Sequence, residues 1–157
     1  MTLTAETEPD SSVTVDEPDT TVTVDEPGGT VTVDTSALIA LLADEAPAEE
    51  ISATLEAATT RLISAGTYVE LGIVLGGRGS PLTAAEVVRD LGLTVVAVDD
   101  DLAEAAVQAW HRFGRTRHPA ALNYGDCFSY ALASTRGTPL VATGDDFRRT
   151  DLTVLPR

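Results

Sequence analysis

The chain has 157 residues, with 25 acidic side chains against 10 basic ones and a net charge of −15, which excludes a polybasic nucleic-acid binder. All ten basic residues are arginine, so P-loop nucleotide hydrolases, kinases, Schiff-base enzymes and receiver-type phosphoacceptor domains lack the lysine that their chemistry needs. The single cysteine, Cys127, makes no internal disulfide, no apolar run is long enough to span a bilayer, and the N-terminus lacks the basic and apolar regions of a signal peptide; a cytoplasmic protein with no membrane partner is expected.

Residues 1–29 hold eight acids and no basic residue. Within them Val-Thr-Val-Asp occurs twice, ending at Asp16 and Asp25, and each copy runs into Glu-Pro. Pro18 and Pro27 disfavour helix and cannot donate to a ladder, and the nine-residue spacing is too short for a strand, a crossover helix and a parallel return. The segment is therefore read as an acidic Thr/Val/Pro-rich tail, expected to be disordered, with a hairpin on a sheet edge as the alternative. The third copy, ending at Asp34, differs. It runs into Thr35-Ser36 and the helix formers Ala37 to Leu42, a strand, turn and helix in succession.

From Thr30 the pattern predicts one compact domain of short strands alternating with longer helices. Strand Val31–Val33 precedes helix Ser36–Leu42. Helix Pro47–Thr59 carries acids in its first turn, and a short strand follows at Arg61–Ser64. Helix Thr67–Leu75 places Tyr68, Leu71, Val74 and Leu75 on one stripe and is stopped by Gly76-Gly77. Next come helix Pro81–Leu91, strand Thr94–Val98, helix Asp100–Phe113, a loop from Gly114 to Asn123 and helix Tyr124–Thr135. Strand Pro139–Ala142 and an edge strand at Val154-Leu155 complete an α/β fold with a mostly parallel sheet.

Ligands of such sheets gather beyond the carboxyl ends of the strands. Asp34 follows the first strand, Glu70 lies on the helix after the second, Asp126 opens the helix after the long loop, and Asp145 and Asp146 follow the fourth strand. Counting one of the adjacent Asp145 and Asp146, four acids converging on one edge repel one another and require a cation or shared protons. A hard divalent ion, Mg2+ or Mn2+, suits oxygen ligands, whereas zinc favours His or Cys that this edge does not supply. No Gly-x-Ser-x-Gly, His-Glu-x-x-His or Cys-x-x-Cys is present, so the commonest serine hydrolase and zinc readings fall away.

Val-Asp-Thr-Ser-Ala-Leu at 33–38, Glu70 within Ile-Ser-Ala-Gly-Thr-Tyr-Val-Glu-Leu, Asn-Tyr-Gly-Asp-Cys-Phe-Ser-Tyr-Ala-Leu-Ala at 123–133 and Thr-Gly-Asp-Asp-Phe at 143–147 together resemble the PIN-domain ribonucleases. Within that family the chain looks like the VapC toxins of bacterial type II toxin–antitoxin systems. The resemblance runs from Thr30 to Arg157, with the four motifs in order. It implies a PIN-like three-layer α/β/α domain at 30–157, a Mg2+- or Mn2+-dependent endoribonuclease, an RNA substrate, a cognate antitoxin and a homodimer. By position, Asp34 and Asp126 correspond to direct metal ligands. Glu70 and Asp145 complete the acidic cluster and orient the attacking water, Thr35 and Thr143 hydrogen-bond the site, and Asp146 is open between the cluster and a helix cap.

Taken singly, each residue also has a plainer reading. Asp34 and Asp126 are good helix caps, Asp99-Asp100-Asp101 is a helix start, Cys127 is a buried thiol, and Trp110 with Phe113 makes packing or dimer contacts. Arg112, Arg115 and Arg117, with His111 and His118, precede the Asp126 motif, and Arg148 and Arg149 follow Asp145. These arginines are candidates for contacting RNA phosphates, or else form surface salt bridges with the abundant acids. The alternative from another functional class is a catalytically inactive PIN-fold protein-binding module.

Overall fold

The computed structural model describes residues 29–157; Asp16, Asp25 and the rest of the predicted tail, Gly29 apart, lie outside the described residues. In chain order the elements are β1 (Thr30–Val33), α1 (Thr35–Leu42), α2 (Ala48–Ala57), β2 (Thr60–Ser64), α3 (Ala65–Gly77), α4 (Ala84–Asp90) and β3 (Leu93–Val96). Helices α5 (Asp100–Phe113) and α6 (Tyr124–Arg136), strand β4 (Leu140–Val141), a 3-10 turn at Phe147–Arg149 and strand β5 (Val154–Leu155) follow.

The five strands form one parallel sheet in the order β3-β2-β1-β4-β5. β1 lies at its centre because Val31 and Val33 bury one face and Thr32 the other. The valines join Leu38, Ile51, Ile63, Leu71 and Val87 in a core beneath α1 to α4. On the opposite face Leu140 and Ala142 pack with Leu102, Phe113, Tyr130 and Leu132 of α5 and α6. Thr32 is fully buried, and its hydroxyl is satisfied by Thr138 Oγ1 at 2.8 Å. The result is the three-layer α/β/α arrangement.

Sequence and structure part company mainly at helix ends. α3 begins at Ala65 because Ser64 Oγ caps it by accepting from the Thr67 amide at 3.0 Å. It then runs through Gly76-Gly77, and the left-handed residue that ends it is Gly79, at φ +65°. α4 starts at Ala84 and not Pro81, because Thr83 and Glu86 form a reciprocal capping box. β3 ends at Val96, two residues short of its predicted end.

The strand order reverses direction at β1. The chain steps outward through β2 and β3, then returns to the other side of β1 for β4. A crevice opens at such a switch point beyond the carboxyl ends. Asp34 and residues 143–146 leave the sheet on either side of it.

Candidate active site

Asp34 is 3% exposed and held at both oxygens. Its Oδ1 accepts the Ser36 amide at 2.8 Å, capping α1, and its Oδ2 accepts the Ser129 hydroxyl of α6 at 2.6 Å. Its own amide donates to Val141 O at 3.0 Å, which ties the exit of β1 to β4. Glu70 stands on the second turn of α3, where Thr35 Oγ1 donates to its Oε2 at 2.7 Å. Burial raises the Glu70 pKa; the Thr35 hydrogen bond lowers it and the Asp34 charge adds to the rise.

Asp126 opens α6 in a capping box with Asn123: the Asn123 amide donates to Asp126 Oδ2 at 2.7 Å, and the Asp126 amide donates to Asn123 Oδ1 at 3.0 Å. Its pKa nonetheless rises to about 6, chiefly through burial and further through the charges of Asp34, Glu70 and Asp146, against the lowering effect of the Asn123 hydrogen bond. Three elements, the β1 exit, α3 and the first turn of α6, therefore bring Asp34, Glu70 and Asp126 within range of one another. Gly125 makes this approach possible. A Cβ at that position would overlap the Glu70 carboxylate.

Of the two acids after β4, Asp145 is 75% exposed and lies 3.8 Å from Arg149. Asp146 is the one whose charge reaches Asp126. It makes no side-chain cap to the 3-10 turn it precedes. The Thr143 amide donates to Ser36 Oγ at 3.1 Å, holding this segment against α1. Among the described residues, no three acidic, histidine or cysteine side chains stand close enough to ligate one ion together. The donor set fits a hard cation held by one or two carboxylates and several waters.

Residues 31–152 match the PIN domain family. The chain belongs to that family. The ribonuclease VapC30 of Mycobacterium tuberculosis is 45% identical over 125 residues, covering 75% of this chain and 92% of that protein. A VapC ribonuclease of Mycolicibacterium smegmatis is 43% identical over 121 residues, covering 75% and 94%. These similarities place the chain among the VapC ribonucleases. The fold is shared with M. tuberculosis VapC20, a sarcin-ricin loop cleaving toxin, at a TM-score of 0.63 and 19% identity over 78% of this chain and 96% of the other. It is also shared with a toxin–antitoxin complex from Klebsiella pneumoniae, at 0.60 and 20% over 80% and 96%.

The arginines of this PIN domain are mostly engaged with the protein itself. Arg112 pairs with Asp151 at 3.0 Å and lies 4.6 Å from the Phe113 ring centroid, Arg117 stacks 4.2 Å from the Trp110 ring, and Arg148 donates to Pro156 O at 2.6 Å. Arg149 donates to Pro119 O at 3.0 Å and so joins the 3-10 turn to the loop before α6. Among the described residues the Arg115 side chain has no such tie and is exposed. Phe113 is buried against Tyr130 and His118, whereas Trp110 is partly exposed beside an apolar cavity of about 390 Å³ lined by Val107, Tyr124, Cys127 and Phe128. Burial, aided by the Asp126 charge, pushes the Cys127 thiol up to about 11, which leaves it protonated and inert.

Sequence reasoning passed over Gly125, Ser129, Thr67 and Ser64. A signal for two of them was present: Ser129 lies three residues after Asp126 and Thr67 three before Glu70, each on the helix face of its acid.

Proposed function

We propose that the chain is the toxin of a type II toxin–antitoxin pair, a Mg2+-dependent endoribonuclease (Mn2+ serving equally) that acts on RNA in the cytoplasm. The observation that carries this reading is the approach of Asp34, Glu70 and Asp126 at the switch point of a sheet, in a chain 45% identical to a VapC ribonuclease.

Asp34 and Asp126 would hold the ion directly. Asp34 is held at both oxygens and Asp126 at one, and each keeps lone pairs free. Bound there, Mg2+ supplies a Lewis acid for the phosphoryl oxygen and a water of lowered pKa. Thr35 occupies Glu70 Oε2, so Oε1 is free to accept a proton from the attacking water and orient it in line with the scissile phosphodiester. The water oxygen bonds to phosphorus, the bond to the leaving oxygen breaks, and no covalent enzyme intermediate forms. Asp145 and Asp146 share the fourth acidic position, with Asp146 the better placed by its effect on Asp126. Of the four candidate arginines, Arg115 is the one free to meet RNA phosphate; Arg112, Arg117 and Arg148 would have to exchange a protein contact for one with RNA.

An antitoxin fits the same charge. The inhibitor is expected to place an arginine or other basic group among Asp34, Glu70, Asp126 and Asp145, competing with metal. A homodimer would use the outer face of α3, where Val69 and Ile73 are 57% and 70% exposed.

The deciding experiment compares RNA cleavage by the parent chain and by Asp34→Asn, with Mg2+ and with excess chelator. Cleavage lost in the variant and in chelator, with the fold retained, supports the reading. Cleavage that survives chelation overturns it, and a parent chain that binds partners without cutting RNA would instead mark an inactive binding module.

A further inference from the structure

Behind the acids lies a second set of polar side chains that the reaction as described does not use. Ser64, Thr67 and Ser129 are fully buried, at 0% exposure each. Ser64 Oγ is 2.9 Å from Thr67 Oγ1, Thr67 Oγ1 is 2.9 Å from Ser129 Oγ, and Ser129 Oγ donates to Asp34 Oδ2 at 2.6 Å. We propose that Ser129 is the positioning residue for Asp34, and that Thr67 and Ser64 behind it form a one-way hydroxyl chain ending on the Asp34 carboxylate.

The direction follows from counting protons. A hydroxyl has one proton to give. The short contact commits that of Ser129 to the carboxylate, which is an acceptor only. The Thr67–Ser129 contact can then exist only with Thr67 as donor. That uses the Thr67 proton, so Ser64 must donate to Thr67, while Ser64 Oγ accepts the Thr67 amide at 3.0 Å. All three protons point toward Asp34, and each bond polarises the next.

The chain draws on four elements: the ends of β1 and β2, α3 and α6. A serine serving only to fill space at 129 would be matched by alanine. A charge-assisted hydrogen bond of 2.6 Å instead fixes the carboxylate. With the Ser36 amide on Oδ1, rotation of the carboxylate is blocked from both sides. Removing a group that orients a ligand in this way typically costs about 10- to 100-fold in metal affinity. The inference rests on the reading that Asp34 holds a divalent ion.

The test titrates Mn2+ by calorimetry, without RNA, into the full chain and its Thr67→Val, Thr67→Ser and Ser129→Ala variants, with thermal melts and cleavage kinetics alongside. Ser129→Ala is expected to weaken Mn2+ binding about 10- to 100-fold. Thr67→Val, which keeps the shape but removes the hydroxyl, should weaken it about three- to tenfold, and Thr67→Ser should stay within about twofold of the parent. kcat should fall with the affinity while KM for RNA holds. Folded variants that bind Mn2+ like the parent overturn the proposal. So does a Thr67→Ser as impaired as Thr67→Val, since the methyl and not the hydroxyl would then matter. If Ser129→Ala fails to fold, the two Thr67 variants decide the matter alone. A parent chain that cleaves RNA but binds no Mn2+ overturns the metal reading itself, a result distinct from an unchanged variant.

Discussion

A methyl group at position 125 would meet the Glu70 carboxylate, the far end of a flexible side chain. The fold can yield there and the site cannot. Gly125→Ala should therefore change stability by less than about 1 kcal/mol, helped by alanine's better helix propensity. Displacing Glu70 from Thr35 should nevertheless lower cleavage at least about 100-fold. Urea unfolding and single-turnover cleavage of the same preparation would separate the two effects. Asp126 makes the opposite case, because it is both a cap and a charge. Its pKa of about 6 in the folded chain stands above the ordinary 3.8, through burial first and neighbouring carboxylates after it. As pH rises, the unfolded chain gives up this proton before the folded one does. The contribution is complete below about pH 4 and lost above about pH 6. Asp126→Asn keeps an oxygen for the Asn123 amide but carries no charge. Its stability advantage over the metal-free parent should grow from near zero at pH 4 to about 1–2 kcal/mol at pH 7, after allowance for solvent screening. Asp126→Ala gives up about 1 kcal/mol of that with the lost cap. Denaturation in chelator across this range, with no widening gap, would remove the repulsion argument. Asp34, Glu70 and Asp126 could be found in the sequence because their places at strand and helix ends follow from local pattern. Gly125 and Ser129 could not, because their roles exist only where α3 and α6 meet.

At the level of elements, the segment after β4 shows how a correct topology leaves one residue of ambiguity. Thr143 to Arg149 is held by the Ser36 hydroxyl at one end and by Pro119 O at the other. Between these anchors the backbone turn decides which of two adjacent acids comes near enough for its charge to act on Asp126. No sequence period distinguishes them. Asp146→Asn is expected to slow cleavage more than tenfold, and Asp145→Asn by less than about threefold; equal losses would show that both acids serve the site. α3 was legible in type but not in extent. Its glycine pair at 76–77 reads as a stop, yet the helix closes only where Gly79 supplies the left-handed turn. Within the part that the pattern did predict, Val69 and Ile73 lie one turn apart and are exposed. Ile73→Glu should leave the fold intact and shift the mass in solution from dimer to monomer, as read by light scattering, because a charge at the centre of an apolar contact is costly to bury. A parent chain already monomeric at high concentration would dismiss this face as the contact.

At the scale of the whole molecule, the five-stranded sheet, both hydrophobic clusters and the site's acids, among the described residues, all lie within residues 30–157. The family match likewise begins at Val31, the first residue of the third copy of the repeat. Deleting residues 2–29 should leave melting temperature, metal response and cleavage rate close to those of the full chain. RNA affinity should rise modestly at low salt as eight negative charges leave. Asp16→Asn with Asp25→Asn should be silent, whereas Asp34→Asn alone should be inactive; unfolding on truncation would show that the earlier copies pair into the sheet. The two hydrophobic clusters on opposite faces of the sheet have a consequence for motion. Each is a separate packing unit, and the units meet at the exit of β1, where Asp34 bonds to α1 on one side and α6 on the other. If the layers open independently, amide exchange should resolve two protection levels, one for α1 to α4 and one for α5 and α6. The amides at the acids would exchange with the weaker of the two, since loosening either layer releases one arm of the clasp. A bound cation or basic partner would then slow exchange in both layers together, fusing two breathing units into one.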